Sequence, residues 1–293
     1  MPNNVRIGNR WVGSNKPAYI VAEIGINHNG RLDFSLEMIN QAKRAGCNAV
    51  KFQKRNPVRC VPSREKQRKL ETPWGYICYL DYRKKMEFGL KEYRKIDSYC
   101  KKIGMTWFAS CWDEDSVNFI TQFNVPCLKV PSACITDFKL LKQFHKTGLP
   151  IILSTGMSRL DQIENAVQKL NTSNLIILHS TSIYPCPVEK LNLKAIHTLK
   201  QKFDCPIGYS GHEVGLPTTI AAVVLGACVI ERHLTLDRSM WGSDQAASIE
   251  PVGFVRLVKY IRTVEQALGD GEKKIDQQEL VAMKKLRKIG FSV

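Results

Sequence analysis

No apolar run in this 293-residue chain approaches the roughly 18 residues needed to span a bilayer, which removes a membrane-embedded reading. The opening MPNNVRIGNRWVGSNK has no apolar stretch that could serve as a secretory signal, so a cytoplasmic protein is expected. Ten cysteines are present, but none forms a CxxC pair. Cys47, Cys127, Cys205 and Cys228 sit in or beside apolar runs and read as reduced core thiols rather than a disulfide frame or zinc site. Cys111 and Cys134 fall nearer to loop mouths and are the candidates for reactive thiols. No GxGxxG turn follows the first apolar run, which argues against an open dinucleotide-binding sheet. The formal net charge of +16 is concentrated between Lys54 and Lys102, including Arg64, Lys66, Arg68, Lys69, Arg83, Lys84 and Lys85. A nucleic-acid platform is disfavoured there, and most of these charges read as solvated surface.

What is present is a repeated alternation. Residues 19–24 form a near-continuous apolar run, as expected of a strand buried on both faces. Similar runs recur at 49–53, 105–110, 127–130, 150–154, 175–179, 207–210 and 228–230. Helix-length segments separate them. One is N-capped at Asp33 and stops at Gly46; others cover 89–103, 114–123, 137–146, 160–170, 191–203, 216–226 and 251–268. Eight strand–helix units in about 250 residues are the expectation for an α/β protein closed as a TIM (β/α)8 barrel. The barrel is placed at residues 18–271, after an N-terminal extension at 1–17 and before a helical tail at 272–293. Residues 54–87, with three prolines and many charges, exceed a simple connection. They read as an insertion after strand two, either an excursion over an active site or disordered.

A barrel demands that chemistry cluster at the C-terminal ends of its strands. Polar groups do collect there: Glu23 and Asn27, Lys51 and Gln53, Ser110, Lys129 and Ser132, Ser154, His179 to Tyr184, Ser210 and His212, Glu231 and His233. Lys51 and Lys129 are informative, because a lysine in a buried strand is costly unless it meets an anion or an internal carboxylate such as Glu23 or Glu231. Two such lysines with Ser132, Ser154 and Ser210 make a site for a phosphate or carboxylate. Parallel neighbours lie about 5 Å apart, so His212 and His233, at equivalent ends of one βαβ unit, can converge on one divalent ion, Mn²⁺ or else Mg²⁺. A metal beside an anion site suggests a lyase or synthase that polarises a carbonyl.

The segments AEIGINHNG, KFQ, LKVPSACITD, STGMS, STSIYPCP, GYSGHE and ERHLTLD, in that order, resemble the sialic acid synthase (nonulosonate synthase) family over nearly the whole chain, from about Ala22 to Gly271. The resemblance implies a barrel enzyme that condenses phosphoenolpyruvate with N-acetylmannosamine or a related sugar aldehyde, giving a nine-carbon 2-keto acid and phosphate. It also implies a divalent ion, commonly Mn²⁺, and a homodimer. Position by position, His212 and His233 match the metal ligands, and Lys51, Lys129, Ser132, Ser154 and Ser210 match phosphoenolpyruvate-binding residues. Glu23 matches a carboxylate near the reacting carbons, Gln53, Tyr184 and Asp244 match acceptor-pocket residues, and Glu231 is placed to orient the acceptor or the ion's water shell.

Two departures touch the acceptor. Many family members carry a C-terminal antifreeze-like domain that this sequence lacks before its end at Val293, and Ser182 stands where some members have asparagine. The acceptor therefore stays open among N-acetylmannosamine, its 6-phosphate, mannose 6-phosphate and a bacillosamine-derived sugar. The basic excursion, through Arg55, Arg59 and Arg64, is the candidate grip for a phosphorylated one. A Schiff-base aldolase with Lys129 as nucleophile is the alternative chemistry, and a basic nucleic-acid-binding protein the alternative class.

Overall fold

Apolar runs of four to seven residues, too short for stable helices and buried on both faces, pair side by side as parallel strands. The computed structural model describes residues 4–289. Its barrel strands are β1 (Tyr19–Gly25), β2 (Ala49–Lys54), β3 (Thr106–Cys111), β4 (Leu128–Val130), β5 (Ile151–Ser154), β6 (Leu175–Ser180), β7 (Ile207–Gly211) and β8 (Val229–His233). Each pairs in parallel with its neighbours in chain order, and β8 closes on β1. The chain thus folds as a closed eight-stranded barrel of the TIM type. Among the described residues no helix is long and apolar enough to cross a membrane.

Helices cover the barrel where the 3.6-residue period places their apolar faces. In Pro251–Leu268, Phe254, Leu257, Val258 and Ile261 are buried, spaced by three and four residues. Leu32–Ala45 buries Met38, Ile39 and Ala42 and ends on Gly46 in the left-handed region, as a glycine stop should. Its start differs from the expected Asp33 cap. Arg31 is the N-cap residue and Asp33 lies inside the first turn, where its carboxylate favours the helix dipole and pairs with Arg31. The segment expected as one helix over 191–203 opens as a 3₁₀ turn at Val188–Lys190. Asn192 then takes a positive φ of 46°, and the α-helix is only Ala195–Lys202. The helix after β3 likewise stops at Ile120 instead of residue 123.

Two additions flank the barrel's mouths. Val5–Ile7 and Arg10–Val12 form an antiparallel hairpin, not expected from the sequence, whose buried Val5, Ile7 and Val12 join the main core. A Cβ at its Gly8 turn would lie 3.7 Å from Pro126, just before β4, so the hairpin sits at the N-terminal mouth. The insertion after β2 is ordered: helix Pro57–Cys60, hairpin Lys69–Thr72 with Gly75–Cys78, and helix Tyr79–Met86. It holds to the C-terminal mouth by a small apolar cluster of Ile26, Tyr82, Met86 and Trp241. Beyond the last barrel helix, Gln277–Leu286 is a helix with no buried residue.

Candidate active site

The C-terminal ends of the strands meet around a cavity of about 220 Å³. Register brings the lining groups level. His233 lies opposite Glu23, and Glu23 opposite Lys51. Ser110 is level with Gln53 and with Lys129, and Ser210 with Glu231. The β1–β2 register slips between Glu23 and Gly25, where Gly25 takes a φ of 53°. A bulge of this kind re-aims a side chain at a strand end. A Cβ on residue 25 would sit 3.1 Å from both Gln53 Nε2 and Glu23 Oε1, so glycine lets those two groups close.

Four buried charges occupy the centre. Lys51 Nζ lies 2.9 Å from Glu23 Oε2 and 3.6 Å from Glu231 Oε1, and donates to Ser110 Oγ at 2.5 Å. Lys129 Nζ donates to Glu231 Oε1 at 2.6 Å, and Ser210 Oγ donates to the same oxygen at 3.1 Å. Gln53 Nε2 donates to Glu23 Oε1 at 3.0 Å. Burial disfavours charge in this centre, and the pairing of lysine with carboxylate opposes that penalty. Lys51 is pushed down by burial but carried above its ordinary value by Glu23 and Glu231. For Lys129 burial dominates, Glu231 opposes it only in part, and the pKa falls to about 8. Glu231, despite its burial, is drawn below the usual carboxylate range by Lys129 and Lys51.

Hydroxyls also line the cavity. Ser154 Oγ and Ser180 Oγ are buried without a hydrogen-bond partner among the described residues. Ser132 Oγ accepts the Gly156 N–H at 3.0 Å. A Cβ on residue 156 would collide with Ser132 Oγ and Ser182 Oγ, so the loop after β5 folds directly onto both hydroxyls.

Opposite them stand the histidines, with ring centroids 5.5 Å apart. His212 Nδ1 donates to the Thr181 carbonyl at 2.8 Å, which leaves Nε2 with its lone pair. Burial, with the neighbouring His233, pushes His212 down to about 3, so its imidazole is neutral near pH 7. His233 Nδ1 is buried with no hydrogen bond among the described residues; Asp244 Oδ2 is 3.6 Å away. The Tyr184 ring packs 4.0 Å from His212 and 5.9 Å from His233. No group of three or more His, Cys, Asp or Glu able to hold an ion occurs among the described residues. A closed tetrahedral zinc site is therefore not built here. Two imidazoles with an orphaned ring nitrogen do fit an ion that completes its shell with water and substrate oxygens.

Beneath the histidines runs a fully buried strut. Arg232 Nη1 donates to Glu213 Oε1 at 3.1 Å and to the Gly215 carbonyl at 3.0 Å, and Arg232 Nη2 donates to the Glu213 carbonyl. Thr218, Thr219 and Tyr209 hydroxyls donate to the Glu213 carboxylate at 2.8–2.9 Å. Glu213 follows His212 and Arg232 precedes His233, so this pair fixes the ends of β7 and β8 against each other. A Cβ on Gly211 would collide with the Glu213 carboxylate.

With this geometry in hand, the sequence pattern of the NeuB family matches residues 38–273, most of the chain. The chain belongs to the NeuB family. It is 40% identical over 289 residues to human N-acetylneuraminate-9-phosphate synthase, covering 95% of this chain and 79% of that one. It is 37% identical to the N,N'-diacetyllegionaminic acid synthase of Campylobacter jejuni, covering 90% and 81%. The crystal structure of N-acetylneuraminic acid (sialic acid) synthetase from Leptospira borgpetersenii serovar Hardjo-bovis, in complex with citrate, matches with a TM-score of 0.86. Identity there is 34%, and 99% of each chain is covered. The chain is thus an enzyme of the sialic acid synthase type.

Within this NeuB-family barrel, every residue matched to a metal, phosphoenolpyruvate or acceptor position except Asp244 lines this cavity, whereas Asn27, His179, Arg55, Arg59 and Arg64 do not. Asp244 stands behind His233, on the loop that carries Trp241 against Tyr82 with ring centroids 5.0 Å apart. Ser180, within the His179–Tyr184 group expected at the end of strand six, lines the cavity; sequence reasoning missed the Trp112 and Met157 walls. It also missed the Glu213–Arg232 strut, whose only signal was a charge beside each histidine in otherwise apolar strands. Cys111 and Cys134, taken as reactive candidates, are buried, and burial raises both thiols, Cys134 to about 12. The basic insertion is not all solvated surface either: Arg55 and Arg83 are buried.

Proposed function

We propose that this enzyme condenses phosphoenolpyruvate with the aldehyde carbon of a six-carbon amino sugar, giving a nine-carbon 2-keto sugar acid and inorganic phosphate. The observation that carries the reading is the buried Glu23–Lys51–Glu231–Lys129 quartet, flanked by the orphaned Ser154 and Ser180 hydroxyls and facing two histidines. Lys51, Lys129 and hydroxyls from Ser132, Ser154 and Ser210 hold the phosphate and carboxylate of phosphoenolpyruvate, an arrangement that positions its C3 for attack. C3 forms a bond to the aldehyde carbon, water adds at C2, and the C2–O bond to phosphate breaks to leave the keto acid. Glu23, held from both sides by Lys51 and Gln53, is the group placed to stabilise positive charge at C2 and to pass on the proton released by the attacking water. Gln53, Ser182, Tyr184 and Asp244 lie on the side where the acceptor enters, and Glu231 orients groups beside His233. A divalent ion held by His212 and His233, Mn²⁺ or Mg²⁺, would supply Lewis acidity toward the acceptor's carbonyl oxygen.

Phosphate release from phosphoenolpyruvate in the presence of Mn²⁺, run against a panel of amino-sugar aldehydes, tests the reading. With phosphoenolpyruvate labelled at its bridging oxygen, the label is expected in the phosphate. Its retention in the keto acid would sink the scheme.

A pH prediction follows from Lys129. Below about 8 it is a cation and grips the substrate; above that it loses its proton and its hold on the anion. The kcat/KM for phosphoenolpyruvate reports the free enzyme, so it is expected to fall tenfold per pH unit above about 8. Bound anion raises the lysine's pKa, so kcat should hold to higher pH. A kcat/KM profile flat to pH 10 would refute this role.

A further inference from the structure

Buried polar groups that the condensation does not use hold the loop that carries Asp244. Leu234, the residue after His233, bridges Ile249 in parallel, and the Ile249 N–H donates to the His233 carbonyl at 2.8 Å. Residues 235–248 therefore form a loop closed at its base. Thr235, Gln245 and Ser248 of this loop, and Asn27 from the turn after β1, are each more than nine-tenths buried. Asn27 Nδ2 donates to the Leu234 carbonyl and to Ser248 Oγ, both at 2.8 Å. Ser248 Oγ in turn donates to the Asp244 carbonyl at 2.6 Å. Carbonyl oxygens can only accept, so the direction of this relay is fixed. Gln245 Oε1 accepts from the Thr235 hydroxyl, and its Nε2 donates to the Asn27 carbonyl at 3.3 Å. Asn29 Nδ2 adds a second tie from the same turn, donating to the Trp241 carbonyl at 2.9 Å.

Stability alone does not account for the asparagine. Asn27 Oδ1 is buried with no hydrogen bond among the described residues, and an unpaired buried acceptor opposes folding. What the amide supplies is two directed donors, one to the residue after His233 and one toward the Asp244 backbone. Asp244 has little local support of its own. Its side chain does not cap the 3₁₀ turn Gln245–Ala247 that follows, and its carboxylate accepts only from its exposed neighbour Ser243, at 2.7 Å, among the described residues. We propose that Asn27 and Ser248 are positioning residues that act through the Asp244 backbone to hold its carboxylate beside His233, 3.6 Å from Nδ1, on the acceptor's side of the site. The inference rests on the condensation described above. The Glu23 carbonyl accepts the Leu234 N–H at 2.8 Å, so the end of β1 fixes both the strand that carries Glu23 and the loop that faces it.

The test combines steady-state kinetics with a Mn²⁺ titration followed by electron paramagnetic resonance. The substrates are phosphoenolpyruvate and whichever of N-acetylmannosamine and its 6-phosphate the wild type turns over faster. Threonine and valine differ only in the hydroxyl, so Ser248→Thr against Ser248→Val isolates the two hydrogen bonds. Ser248→Val is expected to lower kcat/KM for the sugar at least about tenfold, with KM for phosphoenolpyruvate within about twofold of wild type, because misplacement is confined to the acceptor's side. Its Mn²⁺ affinity should fall at least about tenfold, as when a group beside a ligating histidine is displaced. Ser248→Thr should recover most of both losses. Asn27→Asp, which exchanges the donors for an acceptor, should behave as Ser248→Val does. In an Asp244→Ala background Ser248→Val should cost nothing further, because its effect runs through that carboxylate. Additive losses, equal losses on both substrates, or a Ser248→Thr as impaired as Ser248→Val would overturn the proposal. A misfolded Asn27→Asp leaves the Ser248 pair to decide. No turnover by the wild type with either sugar would defeat the condensation itself, and Mn²⁺ affinity unchanged in Ser248→Val would then defeat the positioning role.

Discussion

Replacing Lys129 with methionine is expected to lower kcat/KM for phosphoenolpyruvate by about 10³-fold. Truncating one member of a buried, hydrogen-bonded charge pair typically costs about 2–5 kcal/mol, and a loss of about 4 kcal/mol corresponds to that factor. The fold should survive, because Glu231 keeps Lys51 at 3.6 Å and the Ser210 hydroxyl at 3.1 Å. Lys129→Arg separates charge from nucleophilicity. It keeps a cation in the anion site and should restore part of the activity, whereas an enzyme using Lys129 to form a Schiff base would stay dead. Borohydride reduction in the presence of substrate should leave wild-type mass unchanged. A loss below tenfold in Lys129→Met, or a trapped adduct, would remove Lys129 from the role assigned to it.

The largest stability effect should come from Arg232→Met. Both partners of its ion pair with Glu213 are fully buried. Breaking such a pair from one side leaves an uncompensated charge in the interior and costs about 3–5 kcal/mol. Part of the loss should return in the double variant Arg232→Met/Glu213→Gln, because the second change removes the stranded carboxylate. Urea unfolding of the wild type, both single variants and the double variant gives the coupling directly. Additive losses, or a cost under 1 kcal/mol for Arg232→Met, would show that Tyr209, Thr218 and Thr219 hold Glu213 unaided.

The barrel was legible because its strands are buried on both faces, and an unbroken apolar run needs no partner to be recognised. The same property exposed Lys51 and Lys129, since a charge inside such a run has few places to go. Cap positions were less legible. Asp33 has the right chemistry for an N-cap, but where the chain turns after the Gly25 bulge decides the first helical residue, and that lies in tertiary contacts. The insertion was opaque for a related reason. Its composition is that of a solvated loop, yet Tyr82, Met86 and Trp241 pin it to the mouth across more than 150 residues of sequence. Arg55 and Arg83 look like any surface arginine until that docking buries them. Asp244 sits on a loop whose approach to His233 no local pattern encodes.

The alternation of charge around Glu231 also bears on turnover. In the proposed reaction, departure of phosphate would return Lys51 and Lys129 to carboxylates already within 2.6–3.6 Å. The site thus carries its own counterions, and in that scheme product would leave by exchange of one ion pair for another, with no bare cation left in the interior. An incoming substrate must compete for the same lysines, which limits how tightly the ground state can be held. Binding energy withheld from the ground state is what remains available to lower the barrier.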